Sequence, residues 1–534
     1  MMSWTSLILE GCMFRVLQQR LDRLAAVADP GILRRGLRGV EKESLRVGHD
    51  GQISMRPHPV SLGSALTHPW ITTDFSEALP ELVTPPFADN WETLGFLCEL
   101  HQFVTRNLDQ EMLWATSMPC AVRSEDSVPI ATFGSSNAGR MKEVYRRGLS
   151  HRYGRVMQAI SGVHFNYSVP EDALPTLAGV YEFDRDLKTL RDRLYFDLLR
   201  NYRRLGWLVL YLFGASPAVC KSFFLGRASG LPDLDPTTAF GPHATTLRMS
   251  GVGYRNSNQA SISLSMNALD EYLAGLDRAI HTPFPAYQEI GTKVDGEWRQ
   301  LSTSILQIEN EYYGFIRPKQ VARSGERPAA ALCRGGVSYV EVRALDVSPF
   351  DPAGINQNEM RFLEAFLLMC MLMDSPPMSD EEASGCDQNH LLVAEKGRAP
   401  DLQLVAGTAS RSLKEWGLEI VAAMAPICKV LDANGDDSYT EALDLQREKI
   451  VDPMLTPSAR ILTELNTTGL SFFEFARSLS ESHRDYFLQL PELKTQRRQE
   501  FEREALDSIQ RQRDIEAADS IPFDQFLQRY FGSA

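Results

Sequence analysis

The sequence lacks the short motifs that mark the commonest kinds of enzyme chemistry. It contains no G-x-x-x-x-G-K-[ST] loop, no convincing dinucleotide-binding fingerprint, no H-E-x-x-H pair and no G-x-S-x-G segment. These absences exclude a P-loop nucleotide site, a zincin metal site and a hydrolase nucleophile elbow. Other residues must therefore carry the chemistry, and the acidic strands described below are the candidates.

Cysteine is sparse and is never arranged in the C-x-x-C spacing of a zinc ribbon or a thioredoxin-like redox site. Scattered cysteines in a long chain indicate a reducing compartment. The eight cysteines are Cys12, Cys98, Cys120, Cys220, Cys333, Cys370, Cys386 and Cys428.

A long apolar run and a basic leader are also missing. The longest apolar stretch, residues 205–216, is too short to span a bilayer and indicates a buried helix instead. The N-terminus has no basic region, and Glu10 interrupts its apolar patch, so we expect no signal peptide. With a net charge of −14, the chain is a poor binder of nucleic acids and membrane surfaces. A cytoplasmic location is the expectation.

What is present is an ordinary globular composition over a great length. The chain has 534 residues, 43% of them hydrophobic and 23% charged, which is ample for a substantial core. Length alone allows two to four domains, but no internal repeat or low-complexity linker divides the chain. Apolar periodicity predicts helices at residues 14–28, 90–108, 182–213, 356–374, 408–433 and 492–518.

Alternating patterns predict strands with one apolar and one polar face. Residues 161–168 place His164 and Asn166 on one face, and residues 335–346 place Glu341 and Arg343 on one face. Residues 305–311 show the same alternation. Strands separated by long, irregular helical stretches predict an α+β fold with a largely antiparallel sheet.

Acidic residues are concentrated in two short segments, 36–46 and 71–86. Glu41 and Glu43 are two residues apart on a predicted strand, so both carboxylates point to one face. They are either solvated beside neighbouring basic side chains or ligands of a hard cation such as Mg²⁺. In the second segment Asp74, Glu77 and Glu81 lie among apolar residues, where acids are usually paired or metal-bound.

Other residues have two readings when taken alone. Glu341 and Arg343 are either an intrastrand ion pair or a metal ligand beside a phosphate-binding guanidinium. A lone histidine such as His164 is more often structural than a ligand. The Tyr–Arg segments at 145–147, 254–256 and 312–317 either pack or line an amino-acid pocket.

The chain resembles the gamma-proteobacterial type of glutamate–cysteine ligase. The resemblance runs from about Gly36 to the C-terminal helix and rests on long ordered motifs, among them RGVEKESLRV, LGSALTHPWITTDFSEAL, MQAISGVHFNYS, QIENEYYGFIRPK and RGGVSYVEVRALDVSPF. It implies a glutamine-synthetase-like core, in which a curved, mainly antiparallel sheet forms a funnel-shaped site with helices outside. It also implies one catalytic domain over residues 1–534, with 492–534 as a charged, peripheral helical segment.

The activity implied is ATP-dependent joining of the glutamate γ-carboxylate to the cysteine amine through a γ-glutamyl phosphate. The resemblance also implies more than one Mg²⁺ ion, for which Mn²⁺ can substitute. It further implies a monomeric enzyme that glutathione inhibits by feedback. Matched to the family's metal positions are Glu41, Glu43, Asp74, Glu81, His164 and Glu341. Glu81, Glu341 and Arg343 are the implied catalytic residues, and Tyr145, Leu149, Gln158, Arg248, Tyr254 and Tyr313 are the implied substrate contacts.

The sequence departs from the family pattern in two places. Pro80 stands before Glu81 where an aliphatic residue is common, which the start of a strand tolerates. Residues 1–13 extend beyond the expected start, so that Met13 is an alternative first residue. Three competing functions remain: a ligase with another amine acceptor, a metal-dependent hydrolase, and a non-catalytic amino-acid sensor.

Overall fold

The computed structural model describes residues 12–26, 29–253, 262, 264–323, 325–432 and 435–532. Helices and strands alternate irregularly along these segments, as the predicted α+β class requires. The helices are α1 Cys12–Ala25, α2 Asn90–Arg106, α3 Asn137–Tyr153, α4 Leu174–Val180, α5 Leu187–Leu205, α6 Trp207–Phe213, α7 Leu269–His281, α8 Pro285–Ile290, α9 Pro328–Gly335, α10 Gln357–Leu372, α11 Asp380–Lys396, α12 Leu413–Leu431, α13 Ser438–Val451, α14 Pro457–Thr468, α15 Phe472–Gln489, α16 Thr495–Ala518 and α17 Phe523–Gly532.

One antiparallel sheet of six strands dominates the β-structure, in the order β11-β12-β6-β1-β4-β3. Four two-stranded pairs complete the described strands. The strands are β1 Leu37–Glu43, β2 Arg46–Gly48, β3 Ile71–Thr73, β4 Pro80–Val83, β5 Glu111–Leu113, β6 Gly162–Ser168, β7 Ala218–Cys220, β8 Thr238–Phe240, β9 Lys293–Val294, β10 Glu297–Trp298, β11 Ile316–Lys319, β12 Tyr339–Asp346, β13 Gln403–Ala406 and β14 Ala409–Ser412.

The apolar face of the sheet forms the centre of the core. Val40, Phe165 and Val342 are paired across β1, β6 and β12, and none of the three has exposed surface. Helices α2, α5 and α6 contact the sheet, and α10 packs on α5. Burying a side chain of this size contributes about 1.5–3 kcal/mol, so this face holds the sheet against the helices.

The polar face follows from the same register. Glu41 pairs with His164, and Glu43 pairs with Glu81, so strands distant in sequence bring acids and an imidazole together. The alternation predicted for residues 161–168 is confirmed in β6, and that predicted for residues 335–346 is confirmed in β12, which begins only at Tyr339 because Gly335 ends helix α9. Pro80 begins β4, a position that needs no donor from its missing N–H.

The strand predicted at residues 305–311 is wrong, because Glu309–Glu311 forms a short 3-10 helix. Glu309 accepts hydrogen bonds from Arg327, and Glu311 accepts one from Arg152 at 2.8 Å. The two acids therefore serve different ion pairs instead of one strand face.

The long helix predicted at residues 182–213 is two helices, α5 and α6. It begins only at Leu187, because the Asp186 carboxylate accepts the backbone N–H of Thr189 and caps the first turn. Gly206 separates the two helices.

One covalent link in the structure was not anticipated from the sequence. Cys120 and Cys220 form a disulfide, although they are 100 residues apart. Among the described helices, none combines the length and the apolar character that crossing a membrane requires.

Candidate active site

A cavity of about 690 Å³ lies on the polar face of the sheet. Strands β1, β4, β6, β11 and β12 supply its floor, while α3 and residues 157–158 supply one wall. Tyr254 lies outside the described residues. All the other predicted site residues line this cavity: Glu41, Glu43, Asp74, Glu81, Tyr145, Leu149, Gln158, His164, Arg248, Tyr313, Glu341 and Arg343.

The imidazole of His164 lies between carboxylates on the sheet. Its Nδ1 atom is 3.1 Å from Glu41 and 3.7 Å from Glu341, and its Nε2 atom is 3.7 Å from Glu43. Two groups of potential ligands result, Glu41–His164–Glu341 and Glu43–Glu81–His164, each with atoms within 4.8 Å of one another. Each group has the ligand types of a divalent-cation site, and His164 belongs to both groups.

Two of the acids in this cluster resist ionisation. Burial, and then repulsion from Glu41, Asp74 and Glu43, raises the pKa of Glu81 well above its ordinary value. Burial also raises the pKa of Glu43, although nearby His164 opposes the shift. A cation placed between them would favour their charged forms.

Glu341 is held in its charged form by basic neighbours. Burial would raise its pKa, but Lys319, Arg343 and His164 outweigh burial and hold the pKa well below the usual value. The Lys319 ammonium is 3.0 Å and the Arg343 guanidinium 3.1 Å from its carboxylate. Glu341 and Arg343 therefore form the ion pair foreseen from their spacing, inside a cavity.

The residues present fit a hard divalent cation. Oxygen ligands from carboxylates dominate the cluster, which is the chemistry that Mg²⁺ prefers. The pKa values of Glu43 and Glu81 are raised by burial first and by repulsion from neighbouring acids second, and a bound cation would oppose both effects. The single imidazole is a ligand that suits Mn²⁺ as well.

Helix α3 places several side chains along the cavity at helical spacing. Lys142, Tyr145, Arg146, Leu149 and Tyr153 share one face because they recur three or four residues apart. Ser136 starts this helix by accepting the N–H of Gly139. The α3 wall thus combines cations, aromatic rings and one aliphatic side chain.

Arg248 is buried at the edge of the cavity, with 2% of its surface exposed. Its guanidinium donates to the backbone carbonyl of Arg343 at 3.0 Å and lies 3.9 Å from Asp346. These contacts fix the position of its guanidinium in the cavity lining.

Sequence reasoning missed Lys319 as a cation of the cavity, and it gave Arg146 and Arg317 only as members of Tyr–Arg segments that either pack or line an amino-acid pocket. Arg317 and Lys319 share a face of β11, and β11 pairs with β12, so they lie beside Glu341. Arg146 donates to the backbone carbonyls of Thr73 and Asp74. Alternation within the segment IRPK was the signal for Arg317 and Lys319, but the register that brings them to Glu341 is not readable from sequence.

Glu77 is the one acid of the two segments that serves another purpose. Its carboxylate accepts the backbone N–H groups of His58 and Thr132, both at 2.8 Å. Glu77 therefore links the two adjoining loops by hydrogen bonds, and it does not line the cavity.

Comparison with known proteins establishes the family of the chain. The family model described as glutamate–cysteine ligase matches residues 21–393. The chain is 46% identical to the glutamate–cysteine ligase of Azotobacter vinelandii over 525 residues, covering 98% of this chain and 99% of the relative. It is 46% identical to that of Pseudomonas aeruginosa PAO1 over 519 residues, covering 97% of this chain and 98% of the relative.

Solved structures agree on the fold. The glutamate–cysteine ligase of Francisella tularensis, crystallised with AMP, superposes with a TM-score of 0.88 at 36% identity, covering 93% of this chain and 98% of that one. The predicted α+β fold with a mainly antiparallel, curved sheet is confirmed. The chain belongs to the glutamate–cysteine ligase family.

Proposed function

We propose that this chain joins the γ-carboxylate of L-glutamate to the amine of L-cysteine at the expense of ATP, giving γ-glutamylcysteine, ADP and phosphate. This is the first step of glutathione synthesis. One observation carries the proposal: the acidic cluster with its basic neighbours Lys319 and Arg343 opens into the same cavity as a small aromatic pocket. The named relatives support it, and the nucleotide bound to the Francisella enzyme agrees with a nucleotide substrate.

The reaction takes place in two steps. A γ-carboxylate oxygen of glutamate attacks the γ-phosphorus of ATP, and the bond to ADP breaks, leaving γ-glutamyl phosphate. The cysteine amine then attacks the acyl carbon, the amine loses a proton, and phosphate leaves with the electrons of the C–O bond. Phosphorylation is needed because a carboxylate is a poor acyl donor, and positioning the amine beside the acyl phosphate favours its attack over that of water.

Mg²⁺ would be held by Glu41, His164 and Glu341 on one side and by Glu43 and Glu81 on the other, with Asp74 nearby. When bound, it neutralises phosphate oxygens and the charge that develops during phosphoryl transfer. Mn²⁺ is the expected substitute, given the imidazole.

The chain's own residues bind and orient the reactants. Arg343 neutralises phosphoryl oxygens, with Glu341 fixing its guanidinium at 3.1 Å, and Glu81 is the third residue that we assign to catalysis. Arg248 receives a substrate α-carboxylate. The cysteine pocket consists of Tyr145, Leu149, Gln158 and Tyr313, to which we add Tyr254 from the sequence.

The remaining features of the proposal concern the whole protein. We propose a single catalytic domain that works as a monomer in the cytoplasm, where its substrate ATP is made. Glutathione carries the same γ-glutamyl group as the product, so it can occupy the same cavity and inhibit.

The test is ADP release with Mg²⁺-ATP and glutamate, with and without L-cysteine, 2-aminobutyrate or other amines. Turnover that needs glutamate and cysteine, with γ-glutamylcysteine identified by mass, is the expected result. Turnover with only a different amine would keep the ligase chemistry and change the acceptor. No turnover by a folded protein with any amine would refute the proposal in favour of an amino-acid sensor.

A further inference from the structure

The last helix of the chain packs against the helix that forms a wall of the cavity. On α17, Phe523 and Leu527 are buried with Val144 of α3 and with Ile308. The Phe523 ring meets Trp298 edge-on, with centroids 5.4 Å apart. Apolar contacts on this scale fix α17 in place.

Polar contacts tie the segment before α17 to the first turn of α3. The Asn137 side-chain amide donates to the backbone carbonyl of Ile521 at 2.9 Å, and its backbone N–H donates to the Asp519 carboxylate. The guanidinium of Arg140, one turn later, lies 4.7 Å from the Phe523 ring centroid. The C-terminal segment is thus anchored to the N-terminal end of α3.

Helix α3 runs along the cavity, so distances along this helix indicate the length of the cavity. Met141 and Tyr153 both line it, and at 1.5 Å per residue they are about 18 Å apart along the helix axis. Leu149 and Gln158, on the C-terminal side of α3, belong to the proposed cysteine pocket. We call that part the acceptor end.

Beside the first turns of α3, apolar side chains line the cavity together with the polar residues Asn310 and Glu326. Met141, Ile308, Pro328 and Tyr530 line it, and Tyr530 comes from α17. We call this part the Tyr530 end. Two basic side chains of β11, Arg317 and Lys319, also line the cavity. The Lys319 ammonium lies 3.0 Å from the Glu341 carboxylate.

These groups lie in one cavity and match the chemical parts of a nucleoside triphosphate. The acidic cluster would bind the Mg²⁺ that accompanies the phosphates. The basic side chains of Arg317 and Lys319 would contact the phosphate oxygens. A flat, weakly polar base then requires an aromatic or apolar surface beyond the phosphates. Tyr530 is a flat ring in that part of the cavity.

We propose that Tyr530, presented by the C-terminal helix α17, forms the stacking surface for the purine base of the nucleotide. The inference rests on the proposed ATP-dependent ligation and assigns the base contact of that same site. The C-terminal helix would then be part of the nucleotide site.

The protonation of Tyr530 suits this role. Burial and the charge of Glu309 raise the pKa of Tyr530 to about 12, with Arg327 working in the opposite direction. At neutral pH the phenol is protonated, so its ring carries no charge next to the base and its hydroxyl can donate.

The test compares Tyr530→Ala, Tyr530→Phe and, as a matched control, Tyr486→Ala on α15. Tyr486 is 46% exposed and lies outside the cavity lining. Loss of one base–aromatic stack is expected to raise the KM for ATP about tenfold in Tyr530→Ala. The KM values for glutamate and cysteine should stay within about twofold, and Tyr530→Phe and Tyr486→Ala should behave like the wild type.

A binding readout separates this inference from the proposed function. Titration of each full-length variant with a fluorescent ADP analogue and Mg²⁺ should show the same tenfold weakening in Tyr530→Ala alone. If the wild type binds ADP but shows no glutamate- and cysteine-dependent turnover, the proposed function fails while the binding titration still decides the role of Tyr530. Unchanged nucleotide affinity, a selective rise in the KM for cysteine, or an equal rise in all three KM values with a lower unfolding temperature would each overturn the inference.

Discussion

Two sets of buried carboxylates lie on opposite sides of the central sheet, and their partners differ. On the helix side, Glu364 has no exposed surface and accepts hydrogen bonds from Arg38, Asn90 and Tyr439. On the cavity side, Glu81 is surrounded by other acids, which raise its pKa together with burial. Glu364 has direct hydrogen-bonding partners, whereas for Glu81 burial and the neighbouring acids outweigh the charges of the cavity cations Arg343, Lys142 and Arg146.

The difference separates a structural charge from a functional one. A buried ion pair with a full set of hydrogen bonds is neutral overall and needs nothing from outside, so its removal harms the fold. Clustered like charges cost stability unless a cation neutralises them, and such clusters with shifted pKa values are typical of ligand-binding sites. Burial alone would not have distinguished Glu364 from Glu43, since both are less than 5% exposed.

The largest expected effect is the loss of ligation in Glu41→Gln. The amide keeps the shape and the contact with Asn166, but it removes a charge from the cluster around His164. We expect kcat/KM for ADP release to fall by about 10³-fold or more. The unfolding temperature measured without Mg²⁺ should fall by only a few degrees, because His164 and Lys319 hold the pKa of Glu41 below its usual value and its charge stabilises the native state.

Glu143→Gln is the matched control, since Glu143 pairs with Arg147 and does not line the cavity. It should keep wild-type turnover. Normal turnover by folded Glu41→Gln would remove Glu41 from the site.

The next effect is on the other side of the sheet, where Arg38→Met should destabilise the fold. It leaves Glu364 buried without its guanidinium partner, which costs about 3–5 kcal/mol in unfolding free energy. The measurement is urea unfolding, with turnover of the remaining folded protein as a second readout. That turnover should stay within a few-fold of the wild type.

The double variant Arg38→Met with Glu364→Leu sharpens this result. Removing both charges should restore most of the lost stability, because no uncompensated charge stays buried. If the double variant is no more stable than Arg38→Met, the ion pair is not what holds this side together.

The two sides of the sheet were predictable to different degrees. Alternation with a period of two is a local property, so His164 and Phe165 were assigned to opposite faces correctly from sequence. The same rule failed at residues 305–311, where separate ion pairs of Glu309 and Glu311 impose a 3-10 helix.

Contacts between distant segments were not derivable from periodicity. Glu43 and Glu81 meet because β1 pairs with β4 in one register, and a shift by one residue would turn Glu81 away from the cavity. Their grouping was foreseen only through the family resemblance. The contact of Lys319 with Glu341 and the Cys120–Cys220 bond depend on tertiary structure in the same way and were missed.

A smaller effect is expected on the rise in unfolding temperature that Mg²⁺ produces. In the wild type, saturating Mg²⁺ should raise the unfolding temperature by a few degrees, because the cation binds the native state only. Glu81→Gln should lose most of this rise, since it removes a ligand of the Glu43–Glu81–His164 group. Without metal it should be about 1 kcal/mol more stable than the wild type, because one like charge has gone from the cluster.

Thermal unfolding with and without Mg²⁺ measures both effects, and Glu143→Gln should keep the wild-type response. An undiminished Mg²⁺ effect in Glu81→Gln would place the cation elsewhere.

The smallest effect belongs to a cavity residue that carries no charge. Leu149 is 9% exposed on the α3 wall, and Leu149→Ala would leave the cysteine side chain without part of its apolar contact. A loss of this size is worth about 1–3 kcal/mol, so the KM for cysteine should rise about tenfold while those for glutamate and ATP stay near their wild-type values. Leu479→Ala, in the same apolar cluster but outside the cavity, controls for a general loosening of packing. A selective defect for glutamate would reassign Leu149 to the other substrate, and the charged cluster would then be flanked by glutamate contacts on the α3 side.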